Sequence, residues 1–174
     1  IGAHKSWDCV NTFDADSAYA VNLAMKVIDA AISNDMYVIC DWHSHENTLE
    51  NAKKFFTVIT EKYGDSPNII YEIWNEPLDI PWQEIKDYAT ELIPVIRKNA
   101  PSSVIIVGTP KWDQEVDVAA ESPLTEKNLL YALHFYAGTH KDWHREKAEK
   151  AIAAGLPLII SECGSMEATG DGPI

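Results

Sequence analysis

Apolar runs of strand length alternate with segments of helical periodicity along almost all of this 174-residue sequence. Val21, Met25, Ile28 and Ile32 recur at helical spacing within residues 16–33, and the apolar run MYVICDW follows at 36–42. The pattern then repeats. A helix is predicted over 48–64, opened by Thr48 and stopped at Gly64, and a strand over 68–74. A second such pair is a helix over 81–99, with proline in its first turn and a kink expected at Pro94, and a strand over 103–108. After room for one more helix come a strand over 128–136, a helix over 142–155 ended by Gly155, and a strand over 156–164.

Strands that are apolar throughout, separated by amphipathic helices, predict a parallel sheet covered on both faces. A doubly wound open sheet and a (β/α)8 barrel both satisfy that pattern. The strand exits separate them. They read DWHSHE, NEP, GTPKW, HFYAGTH and SECG, polar or aromatic every time, and no exit carries a Gly-rich phosphate turn. Functional groups on successive strand ends are what the active face of a barrel presents. Five strands are found where a closed barrel has eight, and a complete barrel takes about 250 residues. The whole of 1–174 therefore reads as one partial α/β barrel domain, with strands lacking at both ends and its natural N-terminus missing.

Charge narrows the partners. The net charge is −13, and Arg97 and Arg145 are the only arginines. Such a surface repels phosphate backbones, so nucleic acid is excluded as a partner, and an uncharged or cationic one suits it. No apolar run reaches the ~20 residues that a membrane span requires. Cys9, Cys40 and Cys163 are too few and too scattered for a disulfide framework or a zinc motif, so they read as isolated thiols.

The stretch IIYEIWNEPLD, residues 69–79, carries the chemistry. A strand that ends on Asn75-Glu76-Pro77 places an amide and a carboxylate at its exit, and Glu162 ends the last strand in the same way. An isolated glutamate is ordinarily a solvated surface carboxylate. Two of them behind apolar runs, on strands nearly opposite across a barrel mouth, are expected to face one another. Carboxyl groups about 5 Å apart serve retaining glycoside hydrolysis, one as acid and one as nucleophile. The acid needs a raised pKa, which a neighbouring carboxylate supplies.

These residues resemble a known family. YEIWNEP resembles the acid/base motif of glycoside hydrolase family 5, and IISECG resembles its nucleophile motif. VICDWHSHE is similar to that family's third strand and YALHFYAGTH to its sixth, so the five strands correspond to strands three to seven. YGDSPNIIYEIWNEP, IPVIRKN, IIVGTPKWDQEVDVAA and NLLYALHFYAGTH together resemble bacterial endo-β-1,4-glucanases of the second subfamily.

The resemblance implies roles. Glu76 is expected to be the general acid/base and Glu162 the nucleophile, with Asn75 on the 2-hydroxyl of the sugar at the cleavage point. His43 is expected on another hydroxyl, His134 and Tyr136 lining the same subsite with Tyr136 orienting Glu162, and Trp112 as an aromatic platform on the leaving-group side. Taken alone, His134 would read as a satisfied core histidine and Trp112 as packing. It further implies a β-1,4-glucan polysaccharide as substrate, no cofactor, a monomer, and an extracellular location. Departures from the family pattern are the absence of an arginine near strand two and of a tryptophan on strand eight, and Cys163 where an aromatic usually follows the nucleophile.

Three rival readings compete. The same scaffold could take mannan, xylan or mixed-linkage glucan. Five strands could be a catalytically crippled or merely sugar-binding piece, with exposed sheet edges. Asp41, His43, His45 and Glu46 could instead hold a metal, although no second ligand cluster supports them. His4, His140 and His144 lie among polar residues and receive no role.

Overall fold

The computed structural model describes residues 13–64, 66–170 and 172. His4 and Cys9 lie outside them. Helix α1 (Ser17–Ser33) begins where Asp16 accepts the amide of Tyr19 at 2.9 Å, one of the orphan donors of a first turn. Strand β1 (Val38–Asp41) and helix α2 (Leu49–Tyr63) follow, then β2 (Ile69–Glu72) and α3 (Trp82–Arg97). Thr48 does stand at the start of α2, but its hydroxyl accepts from Trp42 Nε1 at 2.9 Å and makes no capping bond.

Helix α3 runs through Pro94 without interruption. Proline removes one intrahelical donor, and the carbonyl it orphans belongs to Thr90. Both residues are exposed, so solvent can satisfy that oxygen.

Strand β3 (Ile105–Val107) leads into a one-turn segment α4 (Pro110–Asp113) and a short helix α5 (Val116–Glu121). Helix α5 is the extra helix for which the sequence left room; it packs on α6 (Asp142–Ala153). Segment α4 was not foreseen. Lys111, Trp112 and Asp113 have φ of 62°, 57° and 58°, three consecutive left-handed residues that hydrogen-bond periodicity cannot reveal in a sequence.

The two last predicted strands each break. Residues 128–136 form β4 (Leu129–Ala132) and β5 (Phe135–Tyr136), and residues 156–164 form β6 (Leu158–Ile159) and β7 (Cys163–Gly164). The break follows from hydrogen bonding. The amide of His134 leaves the ladder to reach the carbonyl of Asp113 at 3.0 Å, after which β5 pairs with β7. The main sheet is parallel throughout, in the order β1-β2-β3-β4-β6. Its register sets Asp41 beside Glu72, and Val107 beside Tyr131. Every strand therefore delivers its C-terminal end to the same edge.

Apolar packing holds that edge in place. Trp42, Phe55, Phe56 and Tyr71 are fully buried, and Phe55 lies 5.5 Å from Trp42 and 5.2 Å from Phe56 between ring centroids. Offset and edge-on ring pairs of this kind add to the area they bury. Trp74 packs on Tyr88 of α3 at 4.4 Å, and the Tyr88 hydroxyl donates to the carbonyl of Ile73 at 2.9 Å. The residues just before Asn75 and Glu76 are thus fixed from the helix side.

His140 and His144 are not among polar residues. They are 8% and 4% exposed, with ring centroids 4.7 Å apart: His144 lies in the first turn of α6, and His140 precedes the helix with its amide donating to the carbonyl of Tyr136 at 2.8 Å. Burial pushes the His144 pKa down to about 4.

Candidate active site

The strand exits bring their polar side chains together at one edge of the sheet. From β1 come Asp41 and His43, whose Nδ1 lies 2.7 Å from Asp41 Oδ2. Two residues apart on an extended backbone share a face, which is why the pair meets. That bond raises the His43 pKa against the opposing effect of burial, and burial raises Asp41 despite its histidine partner.

From β2 come Glu72, Asn75 and Glu76. Asn75 is 2% exposed; its backbone amide donates to the carbonyl of Trp42 at 3.1 Å, and its Nδ2 has no hydrogen-bond partner among the described residues. Glu76 has a φ of 21°, a conformation L-residues rarely adopt and one that recurs at functional sites.

The β4 exit carries His134, 2% exposed and ringed by acids. Its Nδ1 lies 3.1 Å from Glu76 Oε1, and its Nε2 lies 2.8 Å from Ser161 Oγ, which in turn donates to Glu72 Oε1 at 2.6 Å. Asp113 Oδ2 is 3.5 Å from the same Nε2. Burial works against a charge on the ring, but Glu72, Glu76 and Asp113 outweigh it and hold His134 up to about 11, an imidazolium at neutral pH. Asp113 itself is fully buried, and burial pushes its carboxyl well up while the His134 cation and the Thr109 amide oppose that.

Glu162 lies between β6 and β7. The Tyr136 hydroxyl donates to Glu162 Oε1 at 2.5 Å, and that bond, with burial, pushes the phenol pKa up. One donor atom each from Glu76, His134 and Glu162 lie within 4.8 Å of one another. They are close enough to chelate a cation, but both ring nitrogens of His134 are engaged inside the protein.

Of the residues singled out in the sequence, Glu76, Glu162, His134 and Tyr136 meet directly. His43 and Asn75 stand at the adjoining strand exits. Trp112 is 39% exposed on the left-handed turn, its amide donating to the carbonyl of Pro77 at 2.8 Å, so it flanks the segment that follows Glu76. Of the alternative metal set, Asp41 and His43 pair with each other, His45 Nδ1 lies 3.0 Å from the Glu76 carbonyl, and Glu46 is exposed. Sequence reasoning missed Glu72, Asp113 and Ser161. A charged residue inside the apolar run IIYEIW could have signalled Glu72; nothing local signals the other two.

Residues 5–173 match the family model described as cellulase (glycosyl hydrolase family 5). The sequence is 49% identical over 152 residues to Endoglucanase Z of Dickeya dadantii, covering 86% of this chain and 36% of that protein. It is 45% identical over 157 residues to Endoglucanase A of Evansella cellulosilytica, with coverage of 86% and 32%. A solved structure from Cytophaga hutchinsonii matches with a TM-score of 0.92 at 40% identity, covering 99% of this chain and 56% of that one. The catalytic domain of Thermobifida fusca endoglucanase Cel5A matches with a TM-score of 0.88 at 35% identity, covering 92% and 56%. A variant of that domain, in complex with cellotetraose, gives 0.87 at the same identity and coverage. The chain thus spans about a third of the length of these curated relatives and just over half of these solved chains.

Proposed function

The chain belongs to glycosyl hydrolase family 5, its parallel strands are a segment of a (β/α)8 barrel, and from that premise we propose that it carries the catalytic pair of a retaining endo-β-1,4-glucanase. The observation that carries the reading is the approach of Glu76 and Glu162, with donor atoms within 4.8 Å of one another. Carboxyl groups about 5 Å apart leave no room for a water between nucleophile and sugar, so the first attack is by carboxylate.

Glu162 attacks the anomeric carbon while Glu76 protonates the departing glycosidic oxygen. The bond from that carbon to the leaving oxygen breaks as the ester to Glu162 forms. Glu76, now a carboxylate, takes a proton from water as the water displaces Glu162, and the anomeric configuration is retained. Tyr136 aims one oxygen of Glu162 so that the other is free to attack. The Asn75 amide donates to the 2-hydroxyl, a contact that strengthens in the transition state. Asp41 fixes the His43 ring for a second hydroxyl. Trp112 offers an indole face to the apolar C–H face of the leaving-group sugar. The residues form one catalytic-domain segment, and the relatives named for cellulose-type substrates favour β-1,4-glucan over mannan or xylan.

The test is covalent trapping. Incubation with a 2-deoxy-2-fluoro-cellobioside bearing a good leaving group should leave a cellobiosyl ester on Glu162, located by peptide mass spectrometry, and Glu162→Ala should abolish turnover of soluble β-1,4-glucan with the circular dichroism unchanged. A label elsewhere, or wild-type turnover in Glu162→Ala, refutes the assignment.

A further inference from the structure

The left-handed turn after β3 carries a side chain that the double displacement does not use. Asp113 is 0% exposed. Its Oδ1 accepts from the amide of Thr109 at 2.5 Å, its Oδ2 accepts from the amide of Glu76 at 3.2 Å, and its backbone carbonyl accepts from the amide of His134 at 3.0 Å. One residue therefore ties the exits of β2, β3 and β4 together. The turn around it is sewn to the same place, since the amides of Lys111 and Trp112 donate to the carbonyls of Leu78 and Pro77 at 3.0 and 2.8 Å.

We propose that Asp113 is a positioning residue for Glu76, a buried carboxylate that clamps the strained peptide of the acid/base residue and locks the turn presenting Trp112 against it. The proposal rests on the acid/base role given to Glu76 above. Each carboxyl oxygen of Asp113 receives one backbone amide, so the side chain spans two strand exits. Losing it would leave both buried amides without that partner. Glu76, with a φ of 21°, is the residue that needs holding. Backbone strain at a catalytic position persists only where the surroundings over-determine it.

The choice of variant separates the side-chain hydrogen bonds from backbone preference. Aspartate and asparagine both tolerate the left-handed region, where Asp113 has a φ of 58°. Asp113→Asn therefore keeps size and conformation, but turns an amide NH2 toward either Thr109 or Glu76. Asp113→Gly keeps the conformation and removes the side chain altogether, should the asparagine prevent folding.

Two measurements test it. In hydrogen exchange on the whole chain, the Glu76 or Thr109 amide should exchange about tenfold faster or more in either variant, the loss of one hydrogen bond. Unchanged exchange at both amides overturns the clamp, whatever the sugar chemistry. In kinetics, cellotetraose needs a proton on its leaving group and 2,4-dinitrophenyl β-cellobioside does not. The variants should lose about tenfold or more of kcat/KM on the first and stay within about twofold on the second, because general acid catalysis acts only where the leaving group needs it. Equal losses on both substrates, or none, overturn the positioning role. A wild-type chain that cleaves neither refutes the reading of Glu76 instead, and the exchange result still decides the clamp.

Discussion

Replacing Gly108 by alanine should damage the site through the backbone alone. Gly108 follows β3, and a Cβ there would stand 2.4 Å from the carbonyl oxygen of Trp74 and 2.8 Å from Pro77 Cδ. Contacts below 3.0 Å are essentially never seen, so the two chains must part by at least 0.6 Å. Trp74 cannot retreat, since it is 1% exposed and packed on Tyr88 at 4.4 Å. Trp74 and Pro77 bracket Asn75 and Glu76, so the displacement is delivered to the proposed acid. Overpacking of this size costs about 1–3 kcal/mol. Misplacing a reacting group by about 1 Å can cost on the order of a hundredfold, so a roughly tenfold or greater fall in kcat/KM is expected. Urea denaturation reads the first effect and hydrolysis of soluble β-1,4-glucan the second. Gly155→Ala is the control: its φ of 86° makes alanine unfavourable by about 1 kcal/mol, but nothing lies within 4 Å, so the rate should not change. A Gly108→Ala protein with native stability and native rate refutes the steric argument.

Two further outcomes are expected. Phe55→Ala, a fully buried ring with Trp42 and Phe56 against it, should lower unfolding free energy by about 3–5 kcal/mol in a denaturant titration. His134 is held up to about 11 from an ordinary 6.5, so the stability linked to its proton is complete below pH 6.5 and is lost as pH rises toward 11. The melting temperature should therefore decline between pH 7 and pH 10, and His134→Gln should melt lower overall with a flatter decline.

The sheet and its helices were legible because the strands of the main sheet are apolar runs and the longer helices bury one face, so hydrophobic spacing identifies them. Glu76 and Glu162 stand out in the sequence because they end apolar runs. Asp113 was not: a left-handed turn brings its carboxyl to the amide of Glu76, 37 residues earlier in the chain. Ser161 was hidden in the same way, since its partner Glu72 is remote. Pro94 misled because a helix-breaking residue is tolerated where the orphaned carbonyl can reach water. His140 and His144 misled because their charged neighbours in sequence, Lys141, Asp142, Arg145 and Glu146, are exposed while the two rings are buried.

The hydrogen bond from Ser161 to Glu72 joins residues 89 positions apart, whereas each neighbouring strand pair in the main sheet is bridged by a shorter crossover. Long-range closure costs more chain entropy than adjacent pairing and comes late in folding. A refolding chain should regain helices and paired strands while Ser161 and Glu72, and with them Glu162 and Glu76, are still apart. The cluster at the strand exits is then the last part to assemble, and a population that looks folded by far-ultraviolet circular dichroism can still contain molecules in which the proposed nucleophile is out of place.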